Sequence, residues 1–313
     1  MGLLQDGKWV DQWYNSKDGR FHRQESRFRH ELGSDEFPAE SGRYHLYVSM
    51  ACPWAHRALI FRHLKGLEPH ISVSSVAPLM LENGWEFSRE HPDHLYGSDF
   101  IYQLYLKAAP DYEGRVTVPL LWDKKTGQIV NNESAEIIRM FNSAFDALTG
   151  NREDYYPQEL RAEIDRINER VYHSVNNGVY KAGFATEQQV YEEAVGELFE
   201  SLHWLEELLG TRRYLAGGRL TEADWRLFTT LIRFDPVYHG HFKCNLQRLS
   251  DFPNLFAYMR ELWQIPGIAQ SVKFDQIKEH YYGSHKQINP MGIVPLGPEQ
   301  NLHSPHGRNQ LDG

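Results

Sequence analysis

Residues 44–64 read YHLYVSMACPWAHRALIFRHL, a strand, a sharp turn and a helix with one cysteine at the joint. His45-Leu46-Tyr47-Val48 is a short β-prone run flanked by turn-prone residues. Pro53 stands where a first helical residue belongs, because its missing N–H would go unbonded there in any case. Ala55, Ala58 and Leu59 follow at helical spacing. Cys52 therefore falls at or just before the helix start, where unbonded backbone N–H groups and the positive end of the helix dipole converge. A thiolate is favoured there, and cysteines so placed can fall from a pKa of about 8.5 to about 3.5–7.5. The plain alternative is a small buried cysteine in a tight turn. The order strand, Cys-Pro, helix decides for a nucleophile at Cys52.

A dithiol site of the Cys-x-x-Cys kind would carry its second cysteine at position 55, and that residue is Ala. Without a resolving thiol, the cycle needs an external partner, and glutathione is the obvious one. Cys52-Pro53-Trp54-Ala55 thus reads as a monothiol, glutathione-coupled site.

Working outward, Ile71–Val76 alternates apolar and polar residues, as a half-buried strand does. Residues 77–113 carry turn signals and many aromatics; the stretch is too long for a plain connection and reads as a functional loop with short helices or a lid. Val116–Asp123 is strand-like with Pro119 inside it, 124–127 turn, and Gln128–Val130 return as a hairpin. Asn131-Asn132-Glu133-Ser134 opens a helix with Ile137, Ile138 and Phe141 on one side. This β-α-β then β-β-α order is thioredoxin-like. In that fold a cis proline, here Pro119, faces the cysteine and leaves a strand edge free for a peptide-like ligand.

From about residue 155 the period is helical throughout. One helix carries Leu160, Ile164, Ile167, Val171 and Val175 and is expected to end at Asn176-Asn177-Gly178. A longer one runs from Val190 to Leu209, and Thr221 with Asp224 forms a capping-box variant before a helix apolar on most sides. Leu255–Trp263 is another, closed by Pro266-Gly267. The fold class is therefore α/β plus all-α: a thioredoxin-like domain over 44–150 and an all-helical domain over 151–285. Residues 1–43 form a polar, aromatic-bearing extension packed on the domains, and 286–313 an irregular tail.

The 313 residues suffice for two domains, and 41% hydrophobic with 24% charged residues fit a globular protein. A net charge of −9 argues against nucleic acid as the main partner. Two cysteines, Cys52 and Cys244, make no disulfide framework and point to a reducing compartment, the cytoplasm; Cys244 reads as structural. No apolar run reaches membrane-helix length, and no secretory signal is visible. The Asn132-Glu133-Ser134 sequon is read as chance. The sixteen histidines include no H-x-x-x-H pair and no glycine-rich phosphate loop occurs, so neither a metal nor a nucleotide is expected. His56 is read as a helix-surface residue. Arg20, Arg23, Arg27 and Arg29 read as solvated surface.

A thioredoxin-like domain followed by helices, with a buried helix entered through Thr-x-x-Asp, resembles the cytosolic glutathione transferases over roughly Tyr44 to Ser284. The resemblance implies that Glu133-Ser134 holds the γ-glutamyl end of glutathione and that Val118, before Pro119, pairs with its cysteinyl part. A hydroxyl and N–H groups at a helix start suit a carboxylate, and Glu133 suits an ammonium; the alternative is a plain N-cap. Cys-Pro-Trp-Ala, Gly84–Phe87, Asn176–Phe184 and His280–His285 together resemble the glutathionyl-hydroquinone reductases, the Xi-class transferases, over nearly the whole chain. That implies removal of glutathione from glutathionyl-hydroquinones by Cys52, with Trp85 beside glutathione and Tyr180 and Tyr281 lining the hydroquinone site. Tyr281 is not separable from Tyr282 here. Both tyrosines are expected in turn-like, glycine-flanked segments. The resemblance also implies a homodimer. The rival activities are an omega-like thioltransferase or dehydroascorbate reductase, which shares the monothiol site, and a non-catalytic transferase-fold binding protein, against which an activated thiol argues.

Overall fold

The computed structural model describes residues 2–14 and 18–311. Two compact units emerge, each built from separate stretches of chain. The first comprises Met1–Asn15, Arg23–Glu153 and Asp275–Ser284; the second comprises Ser16–His22, Asp154–Phe274 and His285–Gly313.

The first unit opens on a hairpin of β1 (Gly2–Gln5) and β2 (Lys8–Asp11), in a region where sequence reading finds only irregular chain. Its turn, Asp6-Gly7, has positive φ at both residues, the two-residue turn whose twist suits antiparallel strands. Then come β3 (Tyr44–Val48), α1 (Pro53–Leu64) and β4 (Ile71–Ser75). The 77–113 stretch contains β5 (Met80–Leu81), β6 (Gly84–Trp85) and α2 (Ile101–Ala108). It is followed by β7 (Gly114–Arg115), β8 (Leu120–Asp123), β9 (Gln128–Asn131), α3 (Ser134–Ser143) and the short α4 (Asp146–Thr149).

Four strands form the central sheet in the order β4-β3-β8-β9. β3 runs parallel to β4 and antiparallel to β8, with Tyr44 opposite both Ile71 and Asp123. All five residues of β3 are buried, as a strand covered on both faces requires. β8 begins only after Pro119, which has no N–H to give a ladder. The extension runs antiparallel along the outer edge of β9: His30 N donates to Val130 O at 2.9 Å and Asn132 N to Phe28 O at 3.1 Å. Nearer the N-terminus, β1 also pairs with β7, so both ends of the extension are hydrogen-bonded into this unit.

The second unit is helical, with α5 (Arg161–Val171), α6 (Gly178–Gly183), α7 (Gln188–Leu209), α8 (Glu222–Leu231) and α9 (Pro253–Trp263). Asn176-Asn177-Gly178 does not end the first of these. A π-helical turn over Tyr172–Asn176 carries the chain into α6, and the buried Asn176 amide donates to Arg226 O (3.1 Å) and Thr230 Oγ1 (2.7 Å). The asparagine thus serves a contact with α8 rather than a cap, which local sequence does not reveal. Every residue of α8 is buried, and its start is the expected capping box of Thr221 and Asp224. The tail beyond Ser284 forms no helix or strand among the described residues. Arg308 anchors it, donating to Leu209 O, Arg212 O and Arg213 O at 2.8–3.0 Å just past the end of α7, where helix carbonyls lack partners.

α10 (Phe274–Ser284) is the last helix in the chain, yet from Asp275 onward it belongs to the first unit. No helix among the described residues is long and apolar enough to cross a membrane.

Candidate active site

Cys52 is the N-cap of α1, with extended backbone (φ −74°, ψ 121°) and Pro53 in the first turn. Its Sγ accepts from Ala55 N at 3.5 Å and, as a thiol, donates to Val118 O at 3.5 Å. Ionised, the sulfur keeps the Ala55 N–H, whose partial positive charge stabilises it. The side chain is 9% exposed. The sulfur therefore bridges the helix start and the Val118–Pro119 segment, whose peptide bond is cis. Both of those residues are buried.

Glu133 is the N-cap of α3, and its carboxylate accepts from Ala135 N at 3.1 Å. The extension adds a second donor, Ser26 Oγ, at 3.2 Å. The capping role therefore exists; it does not exclude a ligand, because a carboxylate has about four lone-pair sites. Ser134 is the first helical residue, buried, with its Oγ accepting from Arg57 Nη1 at 3.4 Å. The Arg57 guanidinium also lies over the Trp54 ring, 4.5 Å from its centroid, and Arg23 lies 4.7 Å from the same ring. Two cations thus stand beside the residue two positions after Cys52, on a helix whose N-terminus already favours anions.

Trp85, on β6, stacks on His280 of α10, with ring centroids 4.8 Å apart and planes 19° apart. His280 Nδ1 donates to Pro78 O at 2.8 Å, which fixes the proton on that nitrogen. Met80 N donates to Ser284 Oγ at 2.9 Å. The hairpin that carries Trp85 is thus held by α10 at three points. Gly283 allows the close approach, since a Cβ there would stand 2.6 Å from Leu79 Cδ2.

The tyrosines are not in turns. Tyr281 lies on α10, 1% exposed, with His280 edge-on at 5.0 Å; its neighbour Tyr282 is half-buried. Burial thus separates two residues that the sequence leaves equivalent. Tyr180 lies on α6 of the second unit, half-buried among Phe21, Phe184, Tyr238 and Phe242. The glycines flanking these tyrosines mark close packing instead. A Cβ on Gly183 would collide with the Phe242 ring.

His56 is also corrected: it is fully buried rather than on a helix surface. Buried residues occur around most of α1, including Arg57 beside it, so polar character there is no sign of solvent. Asn132 is buried and bonded through both ends of its amide, which leaves its sequon inaccessible. Cys244 is fully buried, and burial pushes its thiol far above the ordinary range. Both cysteines are free thiols. Among the described residues, no group of three or more His, Cys, Asp or Glu is placed to hold a metal ion.

Arg57 and Ser26 are neighbours that sequence reading misses, and His280, which stands in the quoted His280–His285 stretch, is given no role of its own there. Arg57 carries a signal, as an arginine set among apolar residues of α1.

Comparison with known proteins meets this geometry. The glutathione S-transferase N-terminal domain family matches residues 51–144, and the C-terminal domain family matches 188–261. The glutathionyl-hydroquinone reductase YqjG of Escherichia coli is 59% identical over 98% of this chain and 98% of its own. This chain belongs to the glutathionyl-hydroquinone reductases, the Xi class of glutathione transferases. PcpF of Sphingobium chlorophenolicum, a glutathionyl-hydroquinone reductase, is 56% identical over 96% of this chain and 98% of its own. The glutathione S-transferase Xi of Phanerochaete chrysosporium superposes with a TM-score of 0.87 at 54% identity, covering 89% of this chain and 97% of that one. A glutathione-bound structure of YqjG superposes with a TM-score of 0.89 at 59% identity, covering 90% of this chain and 96% of that one. The fold class is that of a Xi-class transferase: a thioredoxin-like N-terminal domain and an all-helical C-terminal domain.

Proposed function

We propose that this Xi-class chain is a glutathione-dependent reductase that removes glutathione from glutathionyl-hydroquinones. The observation that carries the reading is Cys52 at the N-cap of α1, bonded to Ala55 N and Val118 O, with no second cysteine at position 55.

The Cys52 thiolate attacks the thioether sulfur of the substrate and forms a Cys52–glutathione disulfide. The sulfur–carbon bond breaks, its electron pair stays on the ring carbon, and that carbon takes a proton to give the hydroquinone. The two sulfurs are oxidised and the ring is reduced by two electrons. A glutathione thiolate then attacks the mixed disulfide, giving oxidised glutathione and Cys52 thiolate. Glutathione is a co-substrate, and the reaction needs neither metal nor nucleotide.

In this reading Val118 and Pro119 offer backbone to the cysteinyl part of glutathione, Glu133 and Ser134 take its γ-glutamyl end, and Trp85 lies beside it. Two features support the γ-glutamyl assignment: Ser134 at a helix start beside the Arg57 cation, and the spare lone pairs of Glu133. Tyr281 and Tyr180 handle the phenolic oxygens of the leaving group, a role that rests on the family resemblance.

Initial rates with a glutathionyl-hydroquinone, dehydroascorbate and a small mixed disulfide test the substrate class. The glutathionyl-hydroquinone is expected to turn over with the highest kcat/KM by at least about tenfold, a difference of ~1.4 kcal/mol in transition-state binding. Dehydroascorbate or the mixed disulfide in first place would move the enzyme to the thioltransferase reading. The homodimer and the cytoplasmic address are proposed on the resemblance and on two free thiols. Light scattering should give twice the 36.6 kDa chain mass, and cell fractionation should place the protein with the soluble cytoplasm. A monomer, or a membrane-bound pool, would overturn the respective statement.

A further inference from the structure

We propose that Tyr105 is a positioning residue for glutathione: its phenol holds the Val118–Pro119 edge and the Glu133–Ser134 corner in one register. The inference rests on the reading that these two segments bind glutathione.

Tyr105 lies on α2, an element inserted between the first and second halves of the sheet, and its side chain is fully buried. Phe28 and Tyr112 pack on its ring at 5.7 and 5.0 Å. The hydroxyl donates to Thr117 O at 2.9 Å, accepts from Thr117 N at 3.2 Å and accepts from Asn132 Nδ2 at 3.1 Å. A phenol has one donor and two acceptor sites, so its capacity is filled. Burial keeps the phenol protonated by raising its pKa, which preserves the donor.

The partners are what give the bond set its meaning. Thr117 immediately precedes Val118, and Tyr105 grips that residue through both its N–H and its C=O. Asn132 immediately precedes Glu133, and its amide Oδ1 accepts from Phe28 N at 3.2 Å. Thr117 and Asn132 belong to neighbouring strands' ends, and no ladder bond of β8 and β9 reaches them, since those strands begin at Leu120 and stop at Asn131. Where the ladder stops, one oxygen atom takes over the spacing. It does not touch the proposed ligand positions, so its effect passes through the two backbones.

Removing the oxygen leaves the half-buried Thr117 N–H and C=O and the buried Asn132 amide without their partner, where each loses more than an exposed bond would. The segments can then drift, and glutathione binding pays for restoring their register. The effect should fall on affinity more than on the chemical step, because Cys52 keeps its bond to Ala55 N.

The test compares Tyr105→Phe, Asn132→Ala, their double variant and Ser134→Ala with the parent enzyme. Glutathione Kd is measured by calorimetry, KM and kcat by steady-state assay, and melting temperature by circular dichroism. Tyr105→Phe and Asn132→Ala should each weaken glutathione about tenfold, with kcat at saturating glutathione changed less than about threefold. The double variant should be little weaker than either single one, since both break the same link. A lower melting temperature with unchanged Kd would make Tyr105 merely structural and overturn the proposal, as would additive effects on Kd. The Ser134→Ala arm separates the two levels of failure. If it weakens glutathione while Tyr105→Phe does not, the positioning role alone falls; if neither does, the glutathione site itself is misplaced and the proposal falls with it.

Discussion

Enzyme mixed with a glutathionyl-hydroquinone in the absence of free glutathione is expected to release one hydroquinone per chain and stop. The reason lies at position 55, where Ala stands three residues after Cys52. No thiol on α1 can resolve the mixed disulfide, and Cys244 is fully buried with its thiol driven far above the ordinary range. Intact-mass measurement should show one added glutathione, mapped to Cys52 and lost when fresh glutathione is supplied. Cys52→Ser should show no adduct and a rate lower by ~10³-fold or more, because a serine hydroxyl without a partner base is a weak nucleophile near neutral pH. Tyr281→Phe should slow the hydroquinone-releasing half more than the glutathione-consuming half, and Tyr282→Phe provides the paired control. Full-rate hydroquinone release by Cys52→Ser would place the chemistry elsewhere. An adduct on Cys244 would move it to the other unit.

Asp224→Ala should be the most destabilising single change in the helical unit. The Asp224 carboxylate is fully buried and accepts from Leu215 N (2.9 Å), Thr221 N (2.8 Å), Thr221 Oγ1 (3.1 Å) and Tyr258 OH (2.7 Å). Burial holds the Tyr258 phenol protonated, so it remains a donor. Alanine would strand four buried donors, each worth about 1–3 kcal/mol when left unsatisfied and not additive. A loss on the order of 4 kcal/mol is expected, which is a large part of the ~5–15 kcal/mol that holds an ordinary domain folded. Urea unfolding of both proteins measures it. A stability difference below about 1 kcal/mol would show that the box caps α8 without supporting the unit.

Much of this was legible because the signals were local. Pro53 at the first helical position and the 3.6-residue spacing after it suffice to put Cys52 on a helix start. Thr221 and Asp224 announce their own bond pattern; Pro119, read inside a strand over 116–123, instead stands just before β8 begins. Other features depend on partners distant in sequence. His56 looks like a surface residue until the sheet and α3 are in place around α1. Asn176-Asn177-Gly178 carries every mark of a helix end, but the Asn176 amide is claimed by α8, fifty residues on. Glycines beside Tyr180 and Tyr281 suggest turns, whereas they clear space for Phe242 and Leu79. The Asp6-Gly7 turn is a hairpin signal that stands nearly alone, because β1 and β2 are four residues each and lack strong alternation.

The return of α10 to the first unit bears on how the protein is made. The Met80–Ser284 bond closes a span of 204 residues. At about 5–20 residues per second, a ribosome needs roughly 10–40 s to supply that length. By the end of this interval all four strands of the central sheet have been made, while the helix that backs Trp85 is only then being completed. Cys52 therefore emerges long before Trp85 is braced, and the helices of residues 154–274 have time to form first. Any nascent chain cut short before Asp275 carries the thiol without the helix that completes its own unit.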